Sequence, residues 1–300
     1  AWMKAKPHFY VTQKFTLDAK SMVIHEVKMG DKKLDFNYES DELIISLGNA
    51  FAKDEEFEVY IKYTAKPEEV TQKGSAAITD AKGLYFIDPD GTDPDKPTQI
   101  WTQGETESSS CWFPTIDSPN QKSTQEIYIT VPKIYTTLSN GLLINQTDNV
   151  DGTRTDYWKM SQPHAPYLFF MGIGEYSVVK DTWNGKQVDY YVEKEYEDEA
   201  KAIFGLTPEM IQFYSDRFGV VYPWEKYSQI VGRDYVSGAM ENTTTTLHSE
   251  SAYQKKGQLI DENTWEDVIS HELSHHWFGD LVTTESWSNL TVNESFATYA

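Results

Sequence analysis

The sequence predicts an α+β fold, in which an antiparallel β-sheet region comes first and a largely helical region follows. Two observations predict it. Apolar residues alternate with polar ones up to about residue 185, a period of two that is typical of half-buried strands. From about residue 193 the apolar residues are spaced as in amphipathic helices. We therefore expect two domains, a β domain over 1–185 and a second domain over 186–300.

Alternating runs in the first domain predict its strands. Turn sequences such as Met29-Gly30-Asp31 and Ser139-Asn140-Gly141 separate such runs. Neighbouring strands joined by short turns form antiparallel sheets, which commonly bury one face only. The apolar positions of the four clearest runs are 34, 36 and 38, then 43, 45 and 47, then 57, 59, 61 and 63, and finally 127, 129 and 131.

Helix start and stop signals predict the elements of the second domain. Thr207-Pro208 is an N-cap followed by proline at the first helical position, and Gly219 ends that helix. A short strand is expected over 227–231. A capping-box sequence at Asn263 predicts a second helix through Phe278. A further helix is expected over 291–300.

Composition excludes several classes of function. The chain has 26 Lys and Arg against 47 Asp and Glu, so its net charge of −21 would repel nucleic acid. No stretch approaches the roughly 18 apolar residues that a membrane span needs. A single cysteine, Cys111, allows no intramolecular disulfide. An acidic surface mildly favours substrates that carry a free amine. The oligomeric state stays open, and so does the compartment: cytoplasm, bacterial periplasm or secretion all fit a soluble chain.

The sequence His271-Glu272-Leu273-Ser274-His275 predicts a metal site on the second helix. Residues four apart lie on one face of a helix, so both imidazoles can bind one ion while Glu272 accepts a proton from bound water. A catalytic zinc needs a third protein ligand. The candidate is Glu294, which follows His275 after eighteen intervening residues, 276–293. It lies near the start of the next predicted helix.

Together these residues resemble the gluzincin zinc peptidases. Gly238-Ala239-Met240-Glu241-Asn242 is similar to the exopeptidase motif of one family among them, the alanyl aminopeptidases and leukotriene hydrolase. The resemblance covers nearly the whole chain. It implies a saddle-like antiparallel β domain, then the first part of a thermolysin-like catalytic domain that is incomplete at its C-terminus. The chain is accordingly expected to be a piece of a longer protein that lacks residues at both ends.

The resemblance also implies a role for each matching residue. One Zn²⁺ per chain would be held by His271, His275 and Glu294, with Glu272 as the general base. The substrates would be peptides with a free N-terminus. The implied substrate-binding residues are Gln103 and Met240 around the first pocket, Glu105 and Glu241 as anchors of the amine, and Gly238 and Ala239 as the backbone edge beside the peptide.

The leading interpretation is a zinc aminopeptidase. One alternative is an epoxide hydrolase like leukotriene hydrolase, and another is a catalytically dead homologue that only binds peptides. Ser295 stands where the family usually has glycine, a departure that a helix tolerates. The family's oxyanion-stabilising tyrosine lies well beyond Glu294, so residues 1–300 alone are expected to be nearly inactive.

Overall fold

A computed structural model describes residues 1–300 and confirms the α+β class. Strands dominate the first part of the chain. The strands before residue 175 are β1 (Trp2–Ala5), β2 (Thr12–Asp18), β3 (Met22–Met29), β4 (Lys32–Lys33), β5 (Phe36–Glu39), β6 (Glu42–Phe51), β7 (Phe57–Ala65), β8 (Leu84–Ile87), β9 (Gln99–Thr102), β10 (Ser123–Pro132), β11 (Thr136–Ser139), β12 (Leu142–Asp148), β13 (Thr153–His164) and β14 (Met171–Gly174).

These strands form four sheets, in each of which all neighbours are antiparallel, as the alternating pattern predicts. The strand orders are β1-β7-β3-β4, β2-β6-β5, β11-β14-β9-β8 and β10-β13-β12. The first two sheets enclose one apolar core, in which Leu43, Ile45 and Ile61 are fully buried. The predicted alternation gives the buried face of β6 and β7 correctly, whereas in β5 the predicted inward residue Phe36 is exposed.

The second part of the chain adds one mixed sheet and the α-helices. The remaining elements are β15 (Tyr176–Trp183), β16 (Lys186–Glu193), α1 (Ala200–Phe204), α2 (Thr207–Phe218), β17 (Tyr227–Gly232), β18 (Ala239–Met240), β19 (Thr245–Ser249), α3 (Glu266–Ser274) and α4 (Thr291–Tyr299). The strand order is β15-β16-β17-β19-β18, with β17 parallel to both of its neighbours. The hairpin of β15 and β16 spans residue 185, and the domain boundary expected there stays a prediction.

The mixed sheet joins the two parts of the chain because its central strand β17 is buried on both faces. Every residue of β17 is buried. Tyr227 and Val231 pack among the helices, whereas Ile230 points to the opposite face and packs against the sheets of the first region. A strand covered on both faces loses the polar alternation. The sheet therefore provides a rigid base whose far edge, β18, is free of a further strand.

Two helix boundaries differ from the prediction. Thr207 is the first residue of α2 rather than its cap, since its hydroxyl donates to the Phe204 carbonyl and accepts from Gln229. The helix predicted over 263–278 occupies 266–274. At the start, the side chain of Asn263 accepts a hydrogen bond from the N–H of Trp265 in a turn before the helix. At the end, the backbone after Ser274 makes 3₁₀-type hydrogen bonds between residues three apart.

None of the four α-helices combines the length and the apolar character that crossing a bilayer requires.

Lys226 is a buried lysine at the junction of the two regions. Its side chain is 2% exposed, and its Nζ donates to the Thr244 carbonyl and to the hydroxyls of Ser228 and Thr245. The ring of Trp158, from β13, lies 5.4 Å from Nζ. Burial lowers the pKa of Lys226 to about 7, although Asp189 and Glu225 oppose the shift.

This lysine should make folding stability depend on alkaline pH. Between about pH 7 and the ordinary lysine pKa of 10.5, the unfolded chain carries a proton on Lys226 that the folded chain lacks. The free energy of unfolding should therefore rise with pH in that window, by up to about 1.4 kcal/mol per pH unit from this group. Urea denaturation of the purified protein and of Lys226→Met measures it.

The wild-type profile should climb relative to the variant above pH 7, and the two profiles should run parallel below it. Profiles that stay parallel from pH 6 to pH 10 would show that Lys226 keeps its proton in the folded state.

Candidate metal centre

The predicted ligands converge because two neighbouring helices carry them. α3 supplies His271, and the next turn of the chain supplies His275 on the same face. α4 crosses beside α3 and supplies Glu294. The Ser274 hydroxyl lies 2.9 Å from the His271 carbonyl of its own helix and 3.2 Å from the Ala297 carbonyl of α4, so the two helices are in direct contact at this residue.

The three ligand atoms surround a single point. Nε2 of His271 lies 3.0 Å from Nε2 of His275. Oε2 of Glu294 lies 3.5 Å from the first nitrogen and 3.7 Å from the second. Tetrahedral zinc with bonds of about 2.0–2.2 Å would separate its ligand atoms by about 3.4 Å. The residues present therefore fit zinc, since two nitrogens and one carboxylate oxygen leave a fourth position open.

The orientation of His275 prepares it for a metal. Its Nδ1 lies 3.0 Å from the Phe278 carbonyl, an oxygen that can only accept, so Nδ1 carries the proton and Nε2 presents a lone pair. Burial lowers the pKa of His275 to about 4, which keeps the ring neutral. Gly279 makes this turn possible: its φ is +137°, and a Cβ there would lie 3.1 Å from Nδ1.

Glu272 and Glu241 flank the ligand cluster. Glu272 is 6% exposed and Glu241 is 3% exposed. Ligand atoms of both carboxylates and of His275 all lie within 4.8 Å of one another, and Oε1 of Glu241 is 3.9 Å from Nδ1 of His275. Burial raises the pKa of Glu241 to about 8, helped by the charge of Glu294. Burial likewise raises the pKa of Glu272 well above its usual range, with Glu241 as the next contributor.

The first region contributes the loop after β9. Gln103 is 1% exposed; its Nε2 contacts Sδ of Met240 at 3.1 Å, and its Oε1 accepts a hydrogen bond from the Tyr235 hydroxyl. Burial and the charges of Glu241 and Glu294 raise the pKa of Glu105 well above its usual range. The loop therefore brings a further carboxylate into the electrostatic field of the cluster.

The edge of the mixed sheet borders the same site. Ala239 pairs with His248 and Met240 pairs with Leu247, while the Gly238 carbonyl accepts the N–H of Ser249. No atom lies within 4 Å of the place where a Cβ on Gly238 would stand. The outer side of β18 thus offers open backbone beside the carboxylates.

The cluster has an electrostatic imbalance that cations would correct. Burial raises the pKa of Glu294, but the hydrogen bond with His271 and the charge of His275 outweigh it, so the net shift is downward. Its charge then disfavours ionisation of the other three acids. A divalent ion and one ammonium group would relieve this repulsion.

Two residues at the site were missed by sequence reasoning. Tyr167 places its hydroxyl between Glu241 and Asn293, and nothing in its sequence surroundings singles it out. Asn293 is fully buried, and its position directly before the predicted ligand Glu294 was the available signal.

Comparison with known families gives two matches. The Peptidase M1 N-terminal domain matches residues 4–168, and the Peptidase family M1 domain matches residues 203–300. The glutamyl aminopeptidase of Homo sapiens is 33% identical over 193 residues, 62% of this chain and 20% of that protein. Aminopeptidase N of Streptomyces lividans is 30% identical over 229 residues, 73% of this chain and 25% of that protein.

A third relative extends over almost the whole chain. The probable aminopeptidase 1 of Saccharolobus solfataricus is 28% identical over 291 residues, which are 96% of this chain and 34% of that protein. The chain thus spans between 20% and 34% of the length of these three relatives.

The convergence of three ligands predicts about one zinc ion per chain. Replacement of Glu294 by alanine should weaken zinc binding more than about 100-fold, because even residues that only orient a ligand cost 10–100-fold when lost. Competition with a chromogenic chelator measures the affinity. The matched control is Glu285→Ala, an exposed glutamate on the connection between the two helices. Equal zinc affinity in the two variants would remove Glu294 from the ligand set.

Proposed function

The chain belongs to peptidase family M1, and on that basis we propose that the full-length protein containing it is a zinc aminopeptidase that removes the N-terminal residue from peptides. One observation carries the proposal: the buried carboxylate of Glu241 lies beside the predicted ligands, with its Oε1 3.9 Å from Nδ1 of His275, the ring nitrogen that does not face the metal position. A carboxylate held beside the predicted metal position can bind a cationic chain end that lies one residue away from the scissile bond.

Recognition of the amine rests on the acids beside the metal position. Glu241, with Glu105 as the second anchor, would bind the substrate's ammonium by charge-assisted hydrogen bonds. An internal peptide segment offers no ammonium, so both buried carboxylates would stay unpaired and such a substrate would bind poorly. Burial, followed by the charges of neighbouring carboxylates, raises the pKa values of both acids. An arriving ammonium would favour their charged forms.

The peptide backbone would lie along β18. This strand is the free edge of the mixed sheet, and an extended peptide can add to such an edge by main-chain hydrogen bonds. Gly238 leaves room for the approach, and Ala239 continues the edge. Gln103 and Met240, in contact with each other, would line the pocket for the first side chain.

Proton transfer is assigned to Glu272. Zinc held by His271, His275 and Glu294 would lower the pKa of a water to about 7 and polarise the scissile carbonyl. Glu272 would take a proton from the attacking water at its carboxylate and return it to the leaving amine. Burial raises the pKa of Glu272. A raised pKa favours the protonated form that Glu272 needs in order to pass the proton on to the leaving amine.

The proposal concerns the full-length protein, because the chain spans only part of its relatives. Near-inactivity of residues 1–300 on their own stays a prediction.

Replacing Glu241 tests the exopeptidase assignment. In the full-length protein, Glu241→Gln should lower kcat/KM for aminoacyl-arylamides by about 10- to 100-fold, the value of one hydrogen bond to a charged group. Activity on the N-acetylated forms of the same substrates should change little. Parallel kinetics on both substrate series measure the effect, and an equal loss on both would exclude recognition of the amine by Glu241.

A further inference from the structure

Tyr167 links two parts of the site that come from different regions of the chain. It lies in a short 3₁₀ turn, Pro166–Leu168, that follows the last strand of the β10-β13-β12 sheet. The side chain is 1% exposed. Its hydroxyl lies 2.9 Å from Nδ2 of Asn293 and 3.4 Å from Oε1 of Glu241.

The direction of these hydrogen bonds is fixed by a backbone group. The N–H of Thr284 can only donate, and it bonds to Oδ1 of Asn293 at 3.0 Å. The amide of Asn293 therefore turns its Nδ2 toward Tyr167 and donates to that hydroxyl. The hydroxyl proton remains, and the carboxylate of Glu241 is its acceptor. The chain of bonds therefore ends on an oxygen of Glu241.

Tyr167 is itself held rigidly. The hydroxyl of Ser109 donates to the Pro166 carbonyl at 2.7 Å, and the ring of Trp287 packs edge-on against the tyrosine with ring centroids 4.9 Å apart. Gly104 passes so close that a Cβ there would lie 2.1 Å from the Tyr167 carbonyl oxygen. The loop that carries Gln103 and Glu105 thus packs on the same turn.

We propose that Tyr167 is a positioning residue that holds the carboxylate of Glu241 for the substrate's ammonium and ties it, through Asn293, to the helix of the ligand Glu294. The inference rests on the proposed function, in which Glu241 binds that ammonium. One oxygen of Glu241 is occupied by the tyrosine hydroxyl, and the other stays available for a cation. Tyr167 acts through Glu241, so removal of its hydroxyl matters only while the carboxylate is present.

A double-mutant cycle in the full-length protein tests this role. The probe is L-leucinol, an amino alcohol without a scissile bond, and N-acetyl-leucinol serves as the uncharged control. Tyr167→Phe should weaken L-leucinol binding by about 2- to 12-fold, less than the loss of a direct hydrogen bond to the ammonium, because Tyr167 acts only through Glu241. The same substitution in a Glu241→Gln background should cost almost nothing. Binding is measured by calorimetry, without turnover.

A second tyrosine gives the matched control. Tyr176 is also buried and also makes one hydrogen bond, to the Val231 carbonyl at 3.0 Å, so Tyr176→Phe should leave L-leucinol binding unchanged. Asn293→Ala interrupts the chain of bonds at its other end. It should show the same dependence on Glu241, which keeps the test decisive if Tyr167→Phe does not fold.

The outcomes separate this inference from the proposed function. A loss in Tyr167→Phe that persists in the Glu241→Gln background, or no loss beyond that of Tyr176→Phe, overturns the positioning role and leaves the proposed function standing. If Glu241→Gln itself fails to discriminate L-leucinol from its acetylated form, the proposed amine site is wrong and the inference falls with it.

Discussion

The arrangement of the site depends on one local constraint: two imidazoles on successive helical turns point at the same place, and a carboxylate from the next helix meets them there. The bond from His275 to the Phe278 carbonyl sets which nitrogen faces the ligand position. The Ser274 hydroxyl, 3.2 Å from the Ala297 carbonyl, marks the place where the two helices touch. Small shifts at either contact would separate atoms that now lie 3.0–3.7 Å apart.

Around this cluster the fold concentrates negative charge in a buried space, which is costly unless cations balance it. The acids come from separate elements: the loop after β9, the edge strand β18, and the helices α3 and α4. The mixed sheet helps to bring these acids together. Its central strand packs against an apolar cluster on each face, which fixes the position of its edge strand relative to the helices. The proposed selectivity for a cationic chain end rests on these buried acids.

Much of this could be predicted from sequence, for identifiable reasons. A period of two reports which face of a strand is buried, and the His271–His275 spacing reports a shared helical face. The helix ends were less predictable, because Thr207 uses its hydroxyl on Phe204 and Gln229 instead of capping. Contacts between distant segments leave no local pattern at all. The link from Tyr167 to Glu241 joins residues 74 apart in the chain and becomes visible only in three dimensions.

We expect one metal ion to sit between His271, His275 and Glu294. Anomalous diffraction at the zinc absorption edge, from crystals of the zinc-loaded protein, tests it most directly. The anomalous map should show a single strong peak per chain, about 2.0–2.2 Å from one nitrogen of each histidine and from a carboxylate oxygen of Glu294. A peak at other residues, or none at this cluster under saturating zinc, would contradict it.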